Sequence, residues 1–115
     1  MFCRYAIANF MRESEIEKYF VRRVTEIGGV AYKFNSLSHR GVADRIVCLP
    51  DGSTHFVELK TKGGRLAPIQ QVFAREMDRL NQRYACLWNK DQVDDWLCDH
   101  TKKLRPTSSS SMTTP

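Results

Sequence analysis

The chain has 115 residues, of which 42% are hydrophobic and 27% charged, proportions typical of one soluble globular domain. This composition excludes collagen-like, coiled-coil and wholly disordered proteins, and no apolar run reaches the length of about 18 residues that a membrane helix needs. The formal net charge is +5, but the excess of basic residues lies near the two ends of the chain, so charge alone is weak evidence for a nucleic-acid partner.

Three helices are predicted along the chain. The first opens with the capping-box pattern Ser14–Glu17, carries apolar residues at helical spacing and ends at Gly28. The second begins at Pro68, because proline suits the first turn of a helix. Asp91 is predicted to cap the third helix.

Four strands are predicted between these helices. The turn Pro50–Ser53 joins two of them into a hairpin, and the second helix separates the third strand from the fourth. The predicted strands cover residues 30–34, 45–49, 55–60 and 84–88. The order α-β-β-β-α-β-α is typical of an α/β fold in which one mixed sheet is flanked by helices.

Composition changes towards both ends of the chain. Residues 1–12 are predicted to be an N-terminal extension, residues 13–100 the folded domain, and residues 101–115 a disordered Ser/Thr-rich tail. None of the four cysteines forms a C-x-x-C pair or lies at zinc spacing from a histidine. We therefore expect free thiols, buried in the case of Cys48 and Cys86, and a reducing intracellular compartment such as the cytoplasm.

The chemically informative residues are Asp44, Glu58 and Lys60. Side chains alternate along a strand, so Glu58 and Lys60 share one face of the third strand, while the intervening Leu59 points to the other. Counting back through the hairpin turn places Asp44 opposite residues 58–60. Two carboxylates and an ammonium group are thus predicted to converge at the open end of the hairpin.

That cluster suits phosphodiester hydrolysis. Asp44 and Glu58 can hold a hard divalent cation through oxygen, and Lys60 can orient the attacking water and add positive charge in the transition state. The alternative is that E-x-K is a common pattern and that these are ordinary surface charges. The catalytic interpretation gains weight because Glu58 and Lys60 interrupt an apolar run.

Three segments together resemble a known family, the VRR-NUC domain of the PD-(D/E)xK nuclease superfamily. They are Gly41-Val42-Ala43-Asp44-Arg45-Ile46-Val47, the run Phe56-Val57-Glu58-Leu59-Lys60, and Gln70 shortly after Pro68. The resemblance covers about residues 13–97. It implies a restriction-endonuclease-like fold and DNA cleavage dependent on Mg²⁺ or Mn²⁺, and a chain of this size resembles a stand-alone phage-type enzyme, which would work in the host cytoplasm.

The resemblance also implies residue roles. It makes Asp44 and Glu58 metal ligands together with the Leu59 backbone carbonyl, and Lys60 the catalytic lysine. Gln70 and Glu17 match supporting residues of the site, although Glu17 could instead cap the first helix, with Glu13 and Glu15 as substitutes in the site. The chain departs from the family pattern at Ala43, where proline is usual.

Candidate DNA contacts flank the predicted cluster in loops and at strand starts. The four basic residues that could contact phosphates, each equally well explained as a surface charge, are Arg40, Arg45, Lys62 and Arg65.

The functional expectation is a metal-dependent DNA endonuclease, with selectivity for branched DNA, as in Holliday-junction resolvases, as a finer hypothesis. The alternative is an inactive nuclease fold that serves as a DNA-binding or assembly module. A homodimer is expected because symmetric cutting needs two sites, and the apolar residues 84–88, Trp96 and Leu97 could form its interface or fill the monomer core.

Overall fold

Seven elements build one sheet with helices on both faces. The structure, a computed structural model, describes residues 12–36, 38–61 and 63–111, with the backbone alone from residue 102 onwards. The elements are α1 (Glu13–Glu26), β1 (Val30–Lys33), β2 (Arg45–Cys48), β3 (Thr54–Leu59), α2 (Pro68–Arg79), β4 (Arg83–Leu87) and α3 (Lys90–Ser111). The predicted fold class and element order are confirmed.

The sheet is mixed, with spatial order β1-β2-β3-β4. The first three strands are antiparallel neighbours, and the β2–β3 register pairs Arg45 with Val57. β4 lies parallel to β3, with Glu58 opposite Cys86, because a parallel neighbour needs a crossover and α2 supplies it. The C-terminal ends of β3 and β4 therefore lie side by side at one edge of the fold.

The main core lies between one face of the sheet and helices α1 and α3. Ile16, Phe20 and Val24 recur at helical spacing and are buried, so α1 presents one apolar stripe to the sheet. Val93 and Leu97 of α3 are buried in the same cluster. The sheet contributes the inward-facing positions of its strands, which include Val47, Val57, Leu59 and Leu87.

The opposite face of the sheet carries an aromatic cluster beneath α2. Phe73 of α2 packs against Phe34, Phe56 and Tyr84, with ring centroids 5.8 to 6.5 Å apart. No residue of α2 is fully buried. Its apolar positions Ile69 and Val72 are exposed, as is Leu80 directly after it, so the predicted apolar stripe of this helix is only partly covered.

The helix starts differ from the predicted ones. α1 begins at Glu13, and its first backbone donor, the Arg12 N–H, is accepted by the Glu15 carboxylate at 3.0 Å. The Ser14–Glu17 capping box is therefore wrong, because Glu17 is engaged elsewhere. α3 is capped by Asn89, whose side-chain oxygen accepts the Gln92 N–H at 2.8 Å, instead of by Asp91.

The two ends of the chain differ in how much is described. Residues 1–11 of the predicted extension and residues 112–115 of the predicted tail lie outside the described residues. The backbone of α3 is helical through Ser111. The helix therefore continues beyond residue 100, where the folded domain was predicted to end, because elongating an existing helix costs far less free energy than starting one. Among the described residues, no helix is long and apolar enough to cross a membrane.

Candidate active site

The β2–β3 hairpin sets Asp44 beside the end of β3. Asp44 immediately precedes β2, and the register continues from the Arg45–Val57 pair. The Asp44 carboxylate accepts a hydrogen bond from the Leu59 backbone N–H at 2.9 Å. The structure thus places Asp44 next to the Glu58-Leu59-Lys60 segment, as the spacing predicts.

Glu58 is the most enclosed member of the cluster. Only 1% of the residue is exposed, although its side chain carries an ionisable carboxyl group. Glu58 lies on the α2 side of the sheet. The Gln70 amide donates to the Glu58 carboxylate at 3.0 Å, and the Lys60 ammonium lies 3.5 Å from the same oxygen. Gln70 of α2 and Lys60, which directly follows β3, therefore both contact this carboxylate.

Gln70 reaches Glu58 because it also caps α2. Its side-chain oxygen accepts the Ala67 backbone N–H at 2.8 Å, which satisfies an unpaired donor at the start of the helix. The amide nitrogen at the other end of the same side chain then points at Glu58. The cap fixes the orientation of the amide, so the start of α2 is tied directly to the cluster.

The loop before Asp44 is held against the start of α2. Gly41 has a φ of +81°, and a Cβ at this position would lie 2.6 Å from the Ile69 backbone oxygen. Glycine is required both for the backbone conformation and for the close approach. Ala43, where the family usually has proline, is buried directly before Asp44.

Burial and a neighbouring carboxylate dominate the electrostatics of the cluster. Removal from water, followed by repulsion from Asp44, raises the pKa of Glu58 to about 7 against an ordinary value of 4.5, and Lys60 only partly opposes this. Burial, then the charge of Glu58, raises the pKa of the neighbouring Cys86 thiol to about 12. Burial likewise raises the pKa of Tyr84. Ionisation of Glu58 beside Asp44 is therefore disfavoured, and Lys60 compensates it only in part.

The donor set suits a hard divalent cation. Asp44 and Glu58 supply carboxylate oxygens, and the Leu59 carbonyl faces the same neighbouring strand as the Leu59 N–H that contacts Asp44. Oxygen donors are those that Mg²⁺ and Mn²⁺ prefer. No three His, Cys, Asp or Glu side chains form a metal cluster within the described part of the chain, so such a cation would need the carbonyl, water or phosphate to complete its shell.

Comparison with known proteins supports the fold. A solved structure described as a VRR_NUC domain superimposes with a TM-score of 0.71 and 26% sequence identity, covering 74% of this chain and 92% of that one. The chain has the VRR-NUC fold. No family model matches the chain.

A phage protein is similar in sequence to part of this chain. "Putative nuclease p44" of Acyrthosiphon pisum secondary endosymbiont phage 1 is 52% identical over 60 residues, which are 52% of this chain and 64% of that protein. The match therefore spans less than two thirds of the relative's length. Together the two comparisons confirm the resemblance to VRR-NUC, phage-type nucleases that the motifs indicate.

Glu17 lies apart from the cluster. Its carboxylate accepts from the Arg45 guanidinium at 2.7 and 2.9 Å and lies 3.6 Å from the Lys33 ammonium. Arg45 also donates to the Ala31 carbonyl at 3.1 Å, and its side chain is only 16% exposed. Glu17 thus neither caps α1 nor contacts Asp44 or Glu58; it joins α1 to the sheet, and Arg45 is committed to the same link.

Two of the remaining candidate DNA contacts, Arg40 and Arg65, lie on the surface. Arg40 is exposed in the turn before Gly41, and Arg65 is exposed in the loop between β3 and α2. Neither has an ion-pair partner among the described side chains. Lys62 lies outside the described residues.

Sequence reasoning missed the contribution of β4 to the site. Residues 84–88 were interpreted as core or interface, but the parallel register puts Cys86 opposite Glu58 and carries Trp88 to the level of Lys60. The signal in the sequence was that side chains of β3 and β4 alternate in the same way, so that Cys86 and Trp88 can lie on the same face as Glu58 and Lys60. It could not be used without the register, which depends on how α2 crosses over the sheet.

Proposed function

We propose that the protein is a metal-dependent DNA endonuclease that hydrolyses phosphodiester bonds. The observation that carries the proposal is the convergence of Asp44, Glu58, Lys60 and Gln70 at one end of a sheet with the VRR-NUC fold. A buried Glu58 beside the half-buried Asp44 costs stability, and such costly groups cluster at functional sites. The name of the phage relative is in keeping with the same activity.

Asp44, Glu58 and the Leu59 carbonyl would hold Mg²⁺ or Mn²⁺ in this proposal. When bound, such a cation stabilises negative charge on phosphoryl oxygens and lowers the pKa of a coordinated water. The raised pKa of Glu58 is in keeping with this assignment, because burial and then the charge of Asp44 both disfavour the ionised carboxylate, and a bound cation would offset both effects.

Lys60 and Gln70 have distinct tasks. The Lys60 side chain is 15% exposed and so remains accessible to a phosphate or water while its ammonium stays beside Glu58. We assign it to orient the attacking water and to stabilise charge on the phosphoryl group as the new P–O bond forms and an ester P–O bond breaks. Gln70 keeps Glu58 in position and does not itself contact the scissile group.

The decisive experiment is a cleavage assay with matched variants. Purified protein is incubated with linear, flapped and four-way DNA in Mg²⁺, Mn²⁺ or chelator, alongside Asp44→Asn, Glu58→Gln and Lys60→Ala. Each variant should lose at least about 100-fold in rate, since removal of one such electrostatic group typically costs that much. Glu76→Gln is the matched control, because this carboxylate lies on α2 and pairs with Arg79.

Two results would contradict the proposal. Cleavage that persists in chelator would show that the reaction does not depend on a metal ion. Wild-type rates in a folded Glu58→Gln protein would show that Glu58 is not part of the active site. Metal-independent DNA binding without any cleavage would favour the inactive DNA-binding module instead.

Branched-DNA selectivity and a homodimer belong to the same proposal. The interface suggested from the sequence included Leu87, Trp96 and Leu97, which pack mainly within the monomer core. Ile69 and Val72 of α2 instead offer exposed apolar surface that supports self-association. Light scattering at micromolar concentration should give twice the monomer mass, and four-way DNA should be cut faster than linear DNA. A monomer that cuts both equally would sink both ideas.

We also propose a reducing intracellular setting. Cys48, Cys86 and Cys98 are free thiols. Burial was expected for Cys48 and Cys86, but Cys48 is exposed and Cys86 is half-buried. Exposed free thiols are typical of compartments in which disulfides do not persist. Oxidised protein that forms stable intermolecular disulfides, with loss of activity restored by reductant, would agree with this setting.

A further inference from the structure

The loop between β3 and α2 connects two members of the candidate active site. It begins after Lys60 at the end of β3 and ends at Ala67, whose N–H is capped by Gln70. Its middle turns sharply, with the Gly64 N–H donating to the Thr61 carbonyl at 2.8 Å. The position of this loop therefore affects both ends of the cluster around Glu58.

Trp88 holds the middle of this loop from the neighbouring strand. Its indole N–H donates to the Gly64 backbone carbonyl at 2.8 Å. Trp88 directly follows Leu87, the residue whose carbonyl accepts the Lys60 N–H at 2.9 Å. One residue thus links the end of β4 to the loop, immediately beside the lysine.

The backbone of Trp88 is itself fixed by α3. The Trp88 N–H donates to the Gln92 side chain at 2.7 Å, and the Gln92 N–H donates to Asn89 at 2.8 Å. The next residue, Val93, is fully buried in the main core. The indole is therefore carried by the packed part of the protein, while the loop it holds is on the surface.

We propose that Trp88 is a positioning residue that fixes the segment 63–66 so that Arg65 presents its guanidinium to a DNA phosphate. Arg65 is adjacent to the Gly64 carbonyl that the indole binds, and it is exposed. Holding the loop before DNA arrives lowers the ordering cost of the phosphate contact. The inference rests on the proposed function and adds a residue and a role that the cluster does not contain.

The first test needs no DNA. Trp88→Phe keeps an aromatic ring and removes the N–H donor, and Trp96→Phe is the matched control, because Trp96 packs against Phe20 in the core. Loss of one hydrogen bond should increase opening of the loop about 3- to 10-fold. Trypsin cleavage after Lys62 or Arg65 should accelerate by that factor in Trp88→Phe, beyond any increase explained by its global stability, but not in Trp96→Phe.

The second test uses a double-mutant cycle on DNA affinity. Trp88→Phe and Arg65→Ala should each weaken binding of a labelled duplex, measured by fluorescence anisotropy in chelator so that no cleavage occurs. In the Arg65→Ala background, Trp88→Phe should have little further effect, because both act through the same contact. Arg65→Ala should also lower the salt dependence by about one phosphate contact.

The outcomes separate the two proposals. Unchanged loop proteolysis in Trp88→Phe, or fully additive losses of affinity, would overturn the role of Trp88. If Trp88→Phe does not fold, rapid solvent exchange of the Trp88 indole proton in the wild-type protein would overturn it instead, whereas slow exchange would support it. Absence of any DNA binding or cleavage by the wild type would refute the proposed function, and the proteolysis result would stand independently.

Discussion

Replacing Glu58 with glutamine should stabilise the metal-free protein at alkaline pH. In the folded protein, burial and the charge of Asp44 raise the pKa of Glu58 to about 7 from an ordinary value of 4.5. A folded-state pKa above the unfolded value means that the protonated carboxyl favours folding. This contribution is fully present below about pH 4.5 and is lost as pH rises through about 7. Glutamine cannot ionise, so the variant escapes that loss.

The magnitude follows from the two pKa values. A difference of about 2.5 between them corresponds to about 3 kcal/mol, at about 1.4 kcal/mol for each pKa unit. No reduction for solvent screening applies, because Glu58 is 1% exposed. Glutamine can still accept from Gln70 and donate to Asp44, so the hydrogen bonds around the side chain are largely retained.

The assay is urea unfolding in chelator from pH 4.5 to 8.5, for wild type and Glu58→Gln. The free energy of unfolding of the variant minus that of the wild type should rise by about 3 kcal/mol across this range, with most of the change between about pH 5 and pH 7 and little above pH 7.5. Titrating groups that do not interact with Glu58 cancel in the difference. Glu76→Gln controls for a general Glu→Gln effect, because its carboxylate is on the surface of α2.

Adding Mg²⁺ provides the complementary measurement. The cation should stabilise the wild type at pH 8 more than it stabilises Glu58→Gln, because only the wild type offers two carboxylates to it. A difference between the two proteins that stays constant within about 0.5 kcal/mol from pH 4.5 to 8.5 would refute the electrostatic reasoning for the site.

Three further predictions concern the parts that hold the site. Gly41→Ala should reduce cleavage at least about 10-fold while the protein still folds, because its Cβ would lie 2.6 Å from the Ile69 backbone oxygen and displace the loop before Asp44. A wild-type kcat would show that the close contact between residues 41 and 69 is not needed for activity. Gln70→Ala should lower both cleavage and the free energy of unfolding, the latter by about 1 kcal/mol, because one side chain caps α2 and orients Glu58; activity loss without any loss of stability would mean that the cap is not used. Truncation after Thr101 should change the melting temperature by no more than a few degrees, because Val93 and Leu97, the buried residues of α3 among the described side chains, precede it. Calorimetry showing a large decrease would place the remainder of α3 in the cooperative unit.

The amino-acid sequence was sufficient to predict the element order and the core of the candidate site. Asp44, Glu58 and Lys60 lie within one hairpin, and their meeting depends only on strand alternation and a short turn. Such local relations survive whatever else packs around them. The apolar stripe of α1 is readable for the same reason, since helical spacing alone brings Ile16, Phe20 and Val24 to one face.

Tertiary packing decided which partner each remaining polar group takes. The sequence leaves Glu17 equally suited to a helix cap or to the site, but packing of α1 across the sheet brings Arg45 within 2.7 Å of it, and a charge-assisted pair outweighs a cap. The role of Trp88 depends on the parallel β3–β4 register, which the crossover of α2 fixes over a long sequence separation. Residues 17 and 45, or 64 and 88, are too far apart for local periodicity to relate them, and only the assembled fold brings them together.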